Sequence, residues 1–282
     1  MRKIDAREGV SAFRCSSPQP ERTIACEKPM KDLIAVSLVY GGLLVMLVGA
    51  VAVVRPLRLP ALRSRATGVL VLLCGVLIFV IGATLPADET RVAIARTKLD
   101  EFAPVYQFSE SHTIQISASK ERVYEAIRQV PAGDIKLLRT LTWIRRLGRA
   151  TPPGILNAPQ NQPVLDVALR SGFLLLADDP DREIVIGALV RAPVGWRPNQ
   201  KPTSDDFKSL NAPGFALASM NFLIEETGPD RCVVTTDTRV FATDPSSRRK
   251  FGEYWRMIYP GSALIRRMWL QAIKKRAENG PK

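Results

Sequence analysis

Histidine is almost absent, with one, His112, in 282 residues. A single imidazole excludes a two-histidine metal site within one chain. Its ability to titrate near neutral pH does not by itself make it a base. Cysteine is equally thin. Cys15 and Cys26 lie in the N-terminal leader, Cys74 lies inside a long apolar run, and only Cys232 lies beyond residue 87. No internal disulfide can form in that later part, and no CxxC or Cys/His pattern points to zinc. No glycine-rich phosphate loop opens a helix. The acidic run Asp178, Asp179 and Asp181 around Pro180 lacks the further ligands of a calcium loop and reads as a solvated turn. No catalytic residue, metal or cofactor is expected on these grounds.

What the chain does have is hydrophobic length. Leu33 to Val54 and Ala66 to Ala87 are two runs of 22 residues without a charge. At about 1.5 Å per helical residue each reaches about 33 Å, enough for a hydrocarbon core of about 30 Å. In lipid the backbone must satisfy its own hydrogen bonds, which a helix does. Both runs are therefore predicted to be transmembrane helices, and the lipid bilayer is the first expected partner. Glycines 41, 42, 49, 68, 75 and 82 fall within them and allow close helix approach. A cleaved signal peptide does not fit, because the first run starts late and a second follows it.

The loop at 55–65 carries Arg55, Arg58, Arg63 and Arg65 and no acid. Dense positive charge in a short loop favours the cytoplasmic side, which places the C-terminal part outside the cytoplasm. Seven basic residues in the first 32 argue the other way. Residues 1–32 form a polar leader without periodicity, disordered or not translated, and Met30 is a candidate start. Residues 245–282 carry ten basic and two acidic side chains. This tail is either a solvated helix face or an attractor of anionic lipid headgroups, worth about 1 kcal/mol per basic residue. No nucleic-acid motif is present, and no nucleic-acid partner is expected.

Residues 88–104 read as a juxtamembrane connector. His112 to Ser117 alternates as a half-buried strand, and Ser119 can cap a helix carrying Val123, Ile127 and Val130 up to Pro131. Ile135, Leu138, Leu141 and Ile144 repeat as a second helix, and residues 151–163 form a proline-rich loop. Residues 173–190 and 218–241 read as two hairpins, the second turning at Gly228 to Asp230, and 191–214 as loop. Asp244 and Pro245 open a long helix in which Pro260 and Gly261 are expected to force a kink or break. Strands followed by a terminal helix indicate an α+β layer.

The segment from His112 to Ile127, the strand from Asp237 to Asp244 and the helix from Arg249 to Glu278 resemble the START-like or SRPBCC superfamily, which includes polyketide cyclase/dehydrase proteins. The resemblance covers about residues 105–280. It implies a helix-grip fold, α+β, with a curved antiparallel sheet around the C-terminal helix and a cavity that accepts a hydrophobic small-molecule ligand.

On the strand Val233 to Val240, period two puts Thr235, Asp237 and Arg239 on one face and Val234, Thr236, Thr238 and Val240 on the other. Set toward the cavity, Arg239 meets an anionic or polar ligand group, with Asp237 holding it. The alternative is a structural Asp237–Arg239 pair, since a buried charge must be paired. Trp143, Phe173, Phe222 and Trp255 are the aromatic candidates for a pocket wall, with core packing as the alternative. The expected protein is a membrane-tethered binding or carrier domain for a lipid-like molecule. The alternative is a cyclase or hydrolase using Arg239, Asp237 or His112.

Overall fold

The computed structural model describes residues 30–55, 64–197 and 202–280. The leader at 1–29, and Arg58 and Arg63 of the short loop, lie outside these. Helices α1 (Met30–Val54) and α2 (Arg65–Thr84) are both long and apolar enough to cross a membrane. Ser64 caps α2 by accepting the Thr67 N–H at 3.1 Å, and Thr84 returns its hydroxyl to the Val80 carbonyl at 2.7 Å. Pro86 follows the last turn and stops it.

The two helices pack as an antiparallel pair on small residues spaced by seven: Ala35, Gly42 and Gly49 against Gly82, Gly75 and Gly68. All six are buried. A Cβ on Gly42 would stand 2.6 Å from the Phe79 nitrogen, and one on Gly75 would stand 2.5 Å from that of Met46. The small side chains along this seam let the two backbones approach closely. A seven-residue repeat of the contact positions keeps one seam facing its partner along the whole hairpin.

Beyond the hairpin come β1 (Thr90–Arg91), α3 (Lys98–Phe102), β2 (Val105–Tyr106), β3 (Phe108–Ile116) and α4 (Lys120–Gln129). Then follow α5 (Leu138–Arg145), α6 (Val164–Arg170), β4 (Leu174–Asp179), β5 (Glu183–Arg191), α7 (Ser204–Ser209), β6 (Ala216–Gly228), β7 (Arg231–Ala242) and α8 (Pro245–Asn279). Strands β3 to β7 form one antiparallel sheet in the order β3-β7-β6-β5-β4. The first and last of these strands are therefore neighbours, and α8 leaves the sheet beside its starting edge. This is the α+β helix-grip arrangement expected from the sequence.

Both faces of the sheet are covered. On one, Ile116, Ile184, Ile186, Met220, Phe222 and Val234 pack with α4, α6 and the C-terminal half of α8 through Trp269, Leu270 and Ile273. On the other, Leu176, Val185 and Leu217 pack with Leu99 of α3 and Phe207 of α7. This explains why β5 is buried without interruption from Glu183 to Ala188 rather than alternating. Helices α3 and α7 fall in stretches expected as connector and loop, and α6 in a stretch, 164–170, to which the sequence assigned no element. At five to seven residues they carry no periodicity. α3 and α7 are set instead by local capping boxes, Thr97 with Asp100 and Thr203 with Asp206.

Helix α8 begins at its Asp244 cap, which accepts the N–H groups of Ser246 at 2.9 Å and Ser247 at 3.1 Å. Contrary to the expected break, it runs unbroken through Pro260 for 35 residues. Phe251, Trp255 and Tyr259 are buried before the proline and Trp269, Leu270 and Ile273 after it, so both halves are fixed by packing on one side.

The seam predicts a contrast between two glycines. Gly75→Leu should destabilise the hairpin by about 1–3 kcal/mol or more through overpacking. Gly41→Ala, where a Cβ meets nothing within 4 Å, should leave it unchanged. Thermal unfolding of the full chain in detergent reads both, and equal midpoints for the two variants would remove the seam.

Candidate functional site

Between the sheet and α8 lies a cavity of about 430 Å³. Its wall takes Leu138 and Thr142 from α5, Ile186 and Leu189 from β5, Met220 from β6, and Thr238 and Val240 from β7. Helix α8 closes it with Trp255, Ile258, Ser262, Ile265, Arg266 and Trp269. These positions follow from period two on the strands and from i, i+4, i+7 spacing on the helix. Most of the wall is apolar, as small-molecule sites are, with a few polar groups in a defined place.

The polar groups gather along α8. Glu110 of β3 is 1 % exposed and accepts the Ser262 hydroxyl at 3.0 Å through Oε2. Its Oε1 lies 2.7 Å from His112 Nε2. One turn beyond Ser262, Arg266 sits over the Trp269 ring with 5.7 Å from guanidinium carbon to centroid. Burial draws the Arg266 pKa down to about 10, and the nearby positive charge of Arg145 acts in the same direction, against the pull of Glu110. Among the described residues no carboxylate lies within 4.0 Å of this guanidinium. Thr238 Oγ1, Trp255 Nε1 and Trp269 Nε1 are buried and find no hydrogen-bond partner among the described residues. Arg145, also on the wall, meets the Tyr254 hydroxyl and stacks on its ring at 5.4 Å. A cation on the wall of an otherwise apolar space suits an acceptor-bearing head on an apolar body.

A wider hollow of about 850 Å³ adjoins it, lined by Phe173, Leu174, Leu189, Trp196, Arg197 and Phe207 among others. Phe173 and Leu189 belong to both walls.

Of the residues expected at a site, Phe173 and Trp255 line the cavity. Phe222 does not. It is 1 % exposed and packs against Trp269 in the core at a centroid distance of 5.0 Å. Trp143 is 55 % exposed on the outside of α5. Asp237 and Arg239 lie on the other face of the sheet, because Thr238 and Val240 of the same strand face the cavity. Arg239 pairs with Asp100 of α3 at 2.7 Å, donates to the Ala103 carbonyl at 3.2 Å and stacks on Tyr106 at 4.9 Å. The Asp237–Arg239 pair therefore does not form. Burial works to raise the Asp100 pKa, but the Arg96 and Thr97 N–H groups and Arg239 outweigh it and hold the carboxyl below its ordinary value. His112 reaches Glu110 rather than Asp237 or Arg239, and it is not part of the cavity wall. Asp178 takes the Tyr124 hydroxyl and Arg128 at 2.7 Å, so the acidic turn is tied to α4. Among the described residues no group of three or more His, Cys, Asp or Glu side chains gathers as metal ligands.

No family model and no curated relative matches the chain. Solved structures do align with it. A hypothetical protein from Helicobacter pylori is 10% identical with a TM-score of 0.32, over 67% of this chain and 98% of that one. The Zhui aromatase/cyclase from a Streptomyces species is 12% identical with a TM-score of 0.23, over 62% and 99%. Human STARD10 is 10% identical with a TM-score of 0.22, over 59% and 63%. The α+β helix-grip description of this chain rests on its own strand order and its C-terminal helix.

Arg239 is thus predicted to matter for stability. Arg239→Met should cost about 3–5 kcal/mol by leaving Asp100 buried without its partner. Asp100 has a depressed pKa, so its pairing stabilises fully above about pH 4 and is lost as pH falls through the folded value. The deficit of the variant should therefore be full at neutral pH and shrink in acid. A deficit that does not change with pH, measured by denaturant unfolding, would refute the pair.

Proposed function

We propose that the chain is a membrane-tethered binding or carrier domain for a hydrophobic, lipid-like molecule whose polar or acidic head lies at Arg266. The observation that carries this reading is the half-buried Arg266 guanidinium on an otherwise apolar wall, with no carboxylate of the described residues at ion-pair distance. Ser262 and Thr238 line the same cavity, and Ile186, Leu189, Met220, Ile258 and Ile265 supply the surface for an apolar body. The two apolar helices of the hairpin supply the tether. An acid–base role for His112 has little support, since the imidazole is held by Glu110 away from the cavity wall.

Full-length protein extracted in mild detergent should carry an amphiphile detectable by native mass spectrometry. It should also bind a fluorescent fatty acid. Ala188→Phe, which fills the wall, should abolish binding of the probe. Arg266→Met should weaken it about tenfold or more, the worth of a charge-assisted hydrogen bond. An empty protein in which neither variant changes the probe's affinity would sink the reading.

The proposed topology places the 55–65 loop in the cytoplasm and residues 88–282 on the opposite side, because four guanidinium groups with no acid in a short loop resist translocation. A reporter fused after Lys282 should then be active only if it works outside the cytoplasm. A reporter active in the cytoplasm would reverse the orientation.

A further inference from the structure

Helix α5 and the turn that follows it expose an apolar surface that the cavity does not need. Leu137 is 50 %, Trp143 55 %, Ile144 54 % and Leu147 81 % exposed. At 100° per residue Thr140, Leu141, Trp143 and Ile144 share one outward arc of α5 that holds no charged side chain, while Leu138 and Thr142 face the cavity. Lys136, Arg139, Arg145, Arg146 and Arg149 flank the arc, and no acid occurs between Ile135 and Thr151. Under α5 a cleft of about 480 Å³ is lined by Lys136, Arg139, Arg146, Asn157 and Gln160, and its wall also contains no acid.

This surface is continuous with the hairpin. Arg145 of α5 contacts the Tyr254 hydroxyl on α8. Three residues on, Met257 is 45 % exposed, and its carbonyl accepts the hydroxyl of Tyr40 from α1 at 2.7 Å. One path of direct contacts thus runs from the exposed arc to a membrane helix. An amphipathic helix with an uncharged apolar face, an exposed tryptophan and basic flanks has the composition of an element that lies in a membrane interface. Its cations match anionic headgroups.

We infer that α5 and the turn through Gly148 embed in the headgroup–acyl boundary of the same membrane that the hairpin crosses, with Lys136, Arg139 and Arg146 on anionic lipid headgroups. The inference rests on the reading of α1 and α2 as membrane spans. α5 is then both a wall of the cavity, through Leu138, Thr142 and Arg145, and a face of the domain on the bilayer.

The test uses the full chain reconstituted in phosphatidylcholine vesicles brominated in the acyl chains, with and without phosphatidylglycerol. Bromines should quench a component of the tryptophan emission that is lost in Trp143→Phe and restored in Trp143→Phe with Leu147→Trp. That component should be quenched more strongly when phosphatidylglycerol is present. Equal quenching of wild type and Trp143→Phe overturns the embedding. Quenching of Trp143 that ignores phosphatidylglycerol overturns the headgroup contact. Concentration-dependent dimerisation in detergent that is lost in Leu147→Asp, together with no quenching of Trp143, assigns the face to a second copy instead and likewise overturns the proposal. Alkaline carbonate extraction reads the hairpin separately. A chain released by carbonate fails as a spanning protein, whatever Trp143 does.

Discussion

The relation between the hairpin and the folded part depends on one buried cation, Arg256. It is 2 % exposed and donates to the carbonyls of Ala83 and Leu85, each at 2.6 Å. Those carbonyls belong to the last turn of α2, where a helix has no partner of its own to offer them and where its dipole is negative. Desolvation lowers the Arg256 pKa, and the charges of Asp32 and Glu253 oppose that shift. Around it Phe108, Phe251, Trp255 and Tyr259 form a cluster that also takes in Ala87 and reaches Val36 of α1. The hairpin is therefore built into the packing of α8. A cavity closed by the same helix has a fixed place relative to the hairpin.

The sheet carries charge on both faces, and each charge has its reason there. On the face away from α8, Glu183 is 1 % exposed and accepts the N–H groups of Lys98 at 2.6 Å and Leu99 at 3.1 Å, with Asn221 at 2.7 Å. It satisfies the first turn of α3, which in turn brings Asp100 to Arg239. On the face toward α8, Glu110 is held by Ser262 and His112. The stretch expected to be a connector thus supplies the cover that makes an inward Arg239 affordable. Without α3, the Glu183 carboxylate and the Arg239 guanidinium would stand in a half-covered sheet.

Much of this was legible in the sequence, and the misses have a common cause. Long elements announce themselves: the two hairpins of strands, the helix opened at Asp244 and Pro245, and the apolar runs all lie where period and punctuation put them. Parity on β7 separated Asp237 and Arg239 from Thr238 and Val240 correctly, but parity cannot say which face meets the helix. Charges drew the reading to the wrong face because the five residues of α3 left no periodic trace. Its signal was the capping box of Thr97 with Asp100, set just before Leu99 and Phe102. Arg266 was hidden in a basic tail that reads as a solvated face. The spacing of Ile258, Ser262, Ile265 and Trp269 around it marks a face turned inward. Several of the tail's other cations are also engaged within the fold, Arg248 with Glu89 at 3.2 Å, Lys274 with the Gln115 carbonyl at 2.7 Å and Arg276 with Gln129 at 3.0 Å.

The unbroken passage of α8 through Pro260 has the same origin as the buried Arg256. A proline inside a helix removes the bond to the carbonyl four residues back, here that of Arg256, and costs about 3 kcal/mol or more. The next carbonyl, Met257, is the one that accepts the Tyr40 hydroxyl, so α1 supplies a donor where the ladder is weakest. Ahead of the proline the helix is held by α1, α2 and the Phe108 cluster, and after it by the Trp269 core. Each half is fixed by its own contacts, and neither needs the hydrogen bond that Pro260 takes away. A helix with only one of these anchors would be free to end at Pro260, whereas here both of its halves stay in place on either side of the proline.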